Sequence, residues 1–363
     1  MTRNANEYGE RQRWFQETLR AAGLPGALLS SPISIRYLTG FTSSNSMLFA
    51  GASGSELFTD PRYALQIEGE AVADKKTVEG GVLLNAVAAS LRRRRIRRLG
   101  FEGGHLSQES YQQVNEALEG RTELIPLGRD IERRRAVKSP SEIEAIRHAV
   151  AINSEAYERA MKRVKPGLLE SELAAELDYQ MRKLGAGAAA FDTIVASGAH
   201  SALPHARPRT VPIKANALLL VDMGAQARGY ASDMTRMAWS GKPSRRAVKL
   251  YNAVLRSQLE AIHAIRPGVT ASSVDLAARR VLESEGLAEL FIHSTGHGLG
   301  LEIHEHPRIG KSEACELLPG MVVTVEPGVY VEGWGGIRIE DTVLVTGDGC
   351  EVLTPTSKEL RVL

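Results

Sequence analysis

The chain has 363 residues, a length that predicts two domains. Its 45 basic and 43 acidic residues leave a formal charge of only +2, without the basic excess that would draw a dedicated nucleic-acid binder to phosphate. No run approaches the roughly 18 apolar residues of a membrane span, the polar start Met1 to Glu7 has no apolar stretch of a secretory signal after it, and two cysteines, Cys315 and Cys350, rule out a disulfide framework. The expected setting is the cytoplasm, with neither membrane nor nucleic acid as partner.

The first 130 or so residues read as an α/β layer. Glu10 to Ala22 has helical spacing and stops at Gly23. Gly26 to Leu29 is a short buried strand, Arg36 to Phe41 a turn-bounded segment, and Met47 to Ala50 apolar chain. Leu57 to Tyr63 ends a strand and turns into a helix. Leu83 to Leu91 is another helix, and Arg98 to Phe101 another strand. The basic run Arg92 to Arg98 follows an apolar helix. Cations suit a helix C-terminus, so a solvated helix end is preferred over a nucleic-acid patch.

A boundary falls near Arg133 to Arg135, dividing the chain into residues 1–135 and 136–363. Beyond it Ser139 can cap a helix, Pro140 suits its first turn, and Glu142 closes a capping box. Ile143, Ile146, Val150, Tyr157 and Met161 then share one helical face. A second helix spans about Glu170 to Lys183, ending at Gly185. Strands follow at Thr193 to Ala196, Ala217 to Val221 and Val322 to Val325, with helices at Ser244 to Arg266 and Ala271 to Ser284 between the last two. The whole reads as α+β.

Two acid-bearing hairpins stand out. Asp222 ends an apolar strand, and Asp233 follows 11 residues on, past the turn-rich Gly224 to Gly229. Glu326 likewise ends Val322 to Val325, and Glu340 follows 14 residues later, past Gly333, Gly335 and Gly336. Alternation puts Arg338 and Glu340 on one face and Ile337 and Ile339 on the other. A buried carboxylate needs a partner. Between the pairs lie His293, His297, His304 and His306, four histidines in 14 residues, with glycines beside His297 that permit close approach. Any one of these acids or histidines alone would be an ordinary surface or core residue; two pairs after apolar strands, with a histidine cluster between them, suit a metal site. Four carboxylates and one imidazole form a hard donor set that favours Mn²⁺, with Co²⁺ or Zn²⁺ as substitutes. Two ions ~3.5–4 Å apart would relieve the repulsion among so many carboxylates. The reaction class implied is metal-assisted hydrolysis of an amide or ester.

The ordered segments Ser201-Ala-Leu-Pro-His205, Val221-Asp-Met-Gly224, Ser232-Asp-Met-Thr-Arg236, Thr295-Gly-His-Gly-Leu-Gly300, Ile303-His-Glu305, Val325-Glu-Pro-Gly328 and Arg338-Ile-Glu-Asp341 resemble those of the pita-bread metallopeptidases, in the Xaa-Pro peptidase branch of prolidase and aminopeptidase P. Arg36 to Phe41 and Thr59 to Tyr63 resemble the smaller creatinase-like N-terminal α/β domain of that family. The resemblance implies a C-terminal pita-bread domain of antiparallel sheet and flanking helices. It implies two divalent metal ions per subunit, with Asp222 on one, His297 and Glu326 on the other, and Asp233 and Glu340 bridging. Glu326 is also the implied proton acceptor. His205 and His304 would line the pocket and stabilise the oxyanion, and His293 and Arg338 would serve behind the ligands or beside the substrate. Proline-containing peptides are the implied substrates and a homodimer the implied assembly. All five ligand positions are filled, unlike in metal-free creatinases or binding modules of this fold.

The departures are Ala206 in place of a usual glycine, His200 before Ser201, and His306 after Glu305; none removes a ligand. Arg308 could pair with the carboxylate of a C-terminal proline, which favours an Xaa-Pro dipeptidase, although a plain surface role is as good a reading. An aminopeptidase acting on longer Xaa-Pro peptides shares every ligand and is the alternative. Methionine aminopeptidase is disfavoured by the N-terminal domain of about 130 residues.

Overall fold

The computed structural model describes residues 5–52, 54–165 and 167–363. They form two compact units, Met1–Ile131 and Glu132–Leu363.

The first unit is built on a six-stranded mixed sheet. Its spatial order is Lys75–Val78, Gly54–Thr59, Ser46–Gly51, Gly26–Leu29, Arg98–Phe101 and Glu123–Pro126. The central strand pairs antiparallel with one neighbour and parallel with the other. The expected elements are present, with one correction. Arg36 to Phe41 is mostly the end of a helix, Pro32–Thr39, capped by the Ser31 side chain and closed by Gly40 at φ 77°. A proline in the first turn and a left-handed glycine after the last are strong boundary signals. The basic run starts at a helix end and runs into the strand Arg98–Phe101. Arg92 and Arg93 lie in the last turn of Leu83–Arg93. Arg94 reaches Glu56 at 3.1 Å and lies over the Phe49 ring, and Arg92 and Arg98 pair with Glu119 and Glu123.

In the second unit Ser139 and Glu142 form the expected capping box on Pro140–Met161. The central strand Ala217–Met223 lies between Ile194–Ser197 and Met234–Ser240, antiparallel to both. Ala217 to Val221 is an apolar run because both faces are covered, and Asp222 follows it within the same strand. Leu218 and Leu220 enter one core with Val254 and Leu282 of the helices Arg245–Ala264 and Ala271–Ser284. Leu219, Val221 and Met223 enter another with Tyr157 and Leu177 of Pro140–Met161 and Glu170–Lys183. At about 2 kcal/mol per buried aliphatic side chain, burial on both faces holds this strand firmly at the centre. A second sheet orders Glu305–Ile309, Gly296–Gly298, Val322–Val325, Asp341–Val345 and Cys350–Val352. Both cysteines are free, and among the described residues no helix is long and apolar enough to cross a membrane.

Candidate active site

The two acidic pairs are held by strand pairing. In the first sheet Asp222 faces Thr235 across the ladder, and Asp233 lies one residue before its partner strand. The segment between them is more than a turn. Ala225–Ala227 and Tyr230–Ala231 form a small ribbon with Ala188–Ala189. In the second sheet Val325 pairs with Asp341, and beyond it Gly328 pairs with Arg338, so Glu326 and Glu340 lie opposite each other. Ile337 and Ile339 are fully buried in the core, which turns Arg338 and Glu340 to the other face.

Gly296–Gly298 brings His297 to this cluster. A Cβ on Gly296 or Gly298 would run into the carbonyl of Thr324 or His306, so only glycine lets this strand pack. His297 Nδ1 faces the Gly298 carbonyl at 3.0 Å. With the proton there, Nε2 presents a lone pair, 3.6 Å from Asp233 Oδ2 and 3.7 Å from Glu326 Oε1. One donor atom each of Asp233, His297 and Glu340 lie within 4.8 Å of one another.

This pocket is short of positive charge. Arg338, itself 3% exposed, donates to Asp222 Oδ2 at 2.6 Å, to Thr235 Oγ1 at 3.1 Å and to the Tyr330 hydroxyl at 2.7 Å. Thr235 donates to Glu340 Oε2. Yet Asp222 Oδ1, Asp233 Oδ1 and Glu340 Oε1 are buried with no hydrogen-bond partner. Burial first, and then the neighbouring carboxylates, push Asp233 and Glu340 well above the usual carboxyl range. Burial likewise pushes Glu326 to about 8, against the pull of Arg338. Orphaned oxygens and mutually repelling carboxylates around one imidazole fit a divalent cation, since a multiply charged ion satisfies both at once.

Behind the cluster His293 Nε2 meets the Tyr330 hydroxyl at 2.8 Å, and its Nδ1 the Ser294 carbonyl. Burial lowers both His293 and His297 to about 4, so both rings are neutral. His304 is exposed, with its ring edge-on to His297 at 4.5 Å. His205 is exposed, and His304 is lowered first by burial and then by this neighbouring ring. Arg308 is exposed and opposite His297 in the strand pairing.

Three residues of this arrangement had no role assigned from the sequence, although Thr235 and Arg236 stand in the Ser232 to Arg236 segment. Tyr330 joins Arg338 to His293; it has the same strand parity as Glu326, four residues away, and that was its signal. Thr235 joins Arg338 to Glu340. Arg236 is buried and donates to the Glu340 carbonyl and to Asp341 Oδ1, bracing one acidic strand on the other. Of the departures, Ala206 is buried in the core and His200 Nδ1 sits 3.2 Å from the buried Glu170. His306 faces Cys315 Sγ at 3.2 Å.

Comparison with known proteins gives the same picture. The Creatinase/Prolidase N-terminal domain model matches residues 11–137 and the Metallopeptidase family M24 model residues 144–347. The uncharacterized peptidase YqhT of Bacillus subtilis is 36% identical over 341 residues, 94% of this chain and 96% of that one. Among solved structures, an Xaa-Pro dipeptidase from Bacillus anthracis superposes with a TM-score of 0.94 at 39% identity, over 99% of this chain and 100% of that one. An X-Pro aminopeptidase from Thermotoga maritima MSB8 gives 0.89 at 34%, over 96% and 100%. With its carboxylate and imidazole donors gathered in the region that the second model spans, and with both domains matched in order, the chain belongs to metallopeptidase family M24.

Proposed function

We propose that the protein is a two-metal Xaa-Pro dipeptidase. The observation that carries this reading is the cluster of Asp233, His297 and Glu340, with Glu326 3.7 Å from His297, together with three buried oxygens of Asp222, Asp233 and Glu340 that lack partners. Asp233 and Glu340 would be shared between two ions, Asp222 would hold one, and His297 with Glu326 the other. Mn²⁺ is the preferred ion, with Co²⁺ or Zn²⁺ as substitutes. When bound, such ions polarise the scissile carbonyl and make water a nucleophile near neutral pH.

The remaining steps fall to the chain itself. Glu326 takes the proton of the attacking water and passes it to the leaving proline nitrogen, which has no hydrogen of its own. His205 and His304 donate to the oxygen that gains charge as the carbonyl carbon becomes tetrahedral. Arg338 fixes Asp222 and, through Tyr330, the His293 ring; partners of this kind orient ligands and tune their basicity. Arg308, near His297, pairs with the free carboxylate of the dipeptide. The structural likeness to an Xaa-Pro dipeptidase supports this substrate class.

The likeness to an X-Pro aminopeptidase supports a second reading, removal of the first residue from longer peptides. Chelated enzyme should lose hydrolysis of Xaa-Pro and recover it best with Mn²⁺ or Co²⁺. Full activity in verified metal-free protein would sink the metal assignment. Faster cleavage of Xaa-Pro-Yaa than of Xaa-Pro would move the assignment to the aminopeptidase.

A further inference from the structure

His304 is exposed, and apart from the edge-on contact with the His297 ring its place depends on the backbone that carries it. The next residue, Glu305, is the opposite: its side chain is 3% exposed and lies among buried cations. Glu305 Oε1 accepts from Arg135 Nη2 at 2.5 Å and from the Glu302 amide at 3.1 Å, and Oε2 accepts from Lys138 Nζ at 3.2 Å. The side chains of Arg135 and Lys138 are themselves 4% and 1% exposed. Arg135 also holds Glu302, at 2.7 Å.

The same carboxylate closes the loop from the other end. A Cβ on Gly300 would sit 2.8 Å from both Glu305 oxygens, so the carboxylate packs directly on that glycine. The Gly300 carbonyl in turn accepts from the Ala231 amide at 2.8 Å, two residues before Asp233. Residues 300–305 are therefore pinned between the segment leading to Asp233 and two buried cations. A buried ion cluster is a poor source of stability compared with an apolar core, and its better-attested use is to specify one arrangement.

We propose that Glu305, clamped by Arg135 and Lys138, is a positioning residue that sets the place of the His304 imidazole over the reacting carbonyl. This rests on the dipeptidase reading, in which His304 donates to the oxyanion.

The test is a double-mutant cycle with Glu305→Gln and Gly300→Ala, each made in wild type and in His304→Ala, with steady-state hydrolysis of Xaa-Pro and metal content measured on folded protein. Gly300→Ala removes no charge and displaces the carboxylate by its methyl group alone. The expected result is a fall in kcat of about 10–100-fold for either variant, with KM within about threefold and metal content unchanged. In the His304→Ala background the further loss should shrink to less than about threefold, because the group being positioned is gone. Losses that multiply in full with His304→Ala would overturn the proposal. So would loss of metal in parallel with activity, or failure of both variants to fold, which would make the clamp purely structural. Wild-type enzyme that cleaves no Xaa-Pro peptide would instead overturn the dipeptidase reading beneath it.

Discussion

Replacing Asp233 by Asn should make the metal-free protein more stable and the metal-loaded protein less so. One donor atom of Asp233 lies within 4.8 Å of one of Glu340. Two full negative charges at that distance repel by about 3.5 kcal/mol at an effective dielectric constant near 20. Part of this is already relieved, because burial and repulsion raise both acids and a carboxyl that keeps its proton does not repel. The net gain for Asp233→Asn is then about 1–2 kcal/mol, or roughly 2–8 °C in Tm for a unit of this size. The sign with pH follows. A group with a raised folded pKa stabilises the fold while protonated, and that stability is lost as pH rises through the folded value. The advantage of the variant should therefore grow from pH 5 to pH 8. Saturating metal at about 100 times its Kd adds about 2.7 kcal/mol to the wild type. It should add much less to a variant that lacks a shared ligand. Scanning calorimetry of both proteins, chelated and metal-loaded, reads all four states. Chelated Asp233→Asn melting below chelated wild type, or gaining the full metal shift, would refute the assignment of Asp233 to a crowded shared site.

Three further outcomes are expected. Arg308→Ala should raise KM for Xaa-Pro by about fivefold and leave Xaa-Pro-amide nearly unchanged, since an exposed pair gives about 1 kcal/mol; equal effects on the two substrates in steady-state kinetics would remove Arg308 from carboxylate recognition. In the first unit, Glu56 is 1% exposed and accepts from Lys75, Thr77, Ser90 and Arg94. Burial alone would raise its pKa, but these donors lower it from 4.5 to about 2. Glu56→Gln should cost about 3 kcal/mol at pH 7 in chemical denaturation, a difference that fades as pH falls from about 4.5 to about 2; a constant difference across that range would refute it. Loss of Asp233 or Glu340 should depress turnover more than loss of His205 or His304, where one oxyanion donor is worth about 10²–10³-fold; kinetics with metal analysis on the same samples would expose the reverse order.

Local pattern was enough for much of this protein. Ser139, Pro140 and Glu142 specified a helix start through interactions within four residues, and the structure has that capping box. The parity of Ile337 to Glu340 assigned each side chain to a face, because apolar burial permits one parity only. Order and type of the motifs marked the acids and His297 as chemically exceptional. What they touch was decided elsewhere. Whether Glu326 meets Glu340 depends on the hairpin between them, and whether either meets Asp222 depends on strands 116 residues apart at the Arg338–Asp222 contact closing on each other. Tyr330 and Thr235 look like ordinary strand residues until that closure gives them Arg338 as a neighbour. Glu305 finds Arg135 and Lys138 across 170 and 167 residues. Such contacts leave no periodic trace, because they are selected by the burial of whole faces. A polar side chain then takes whatever partner the packed core has placed within reach, and an oxygen left without one, as Asp233 Oδ1 is, suits a bound cation.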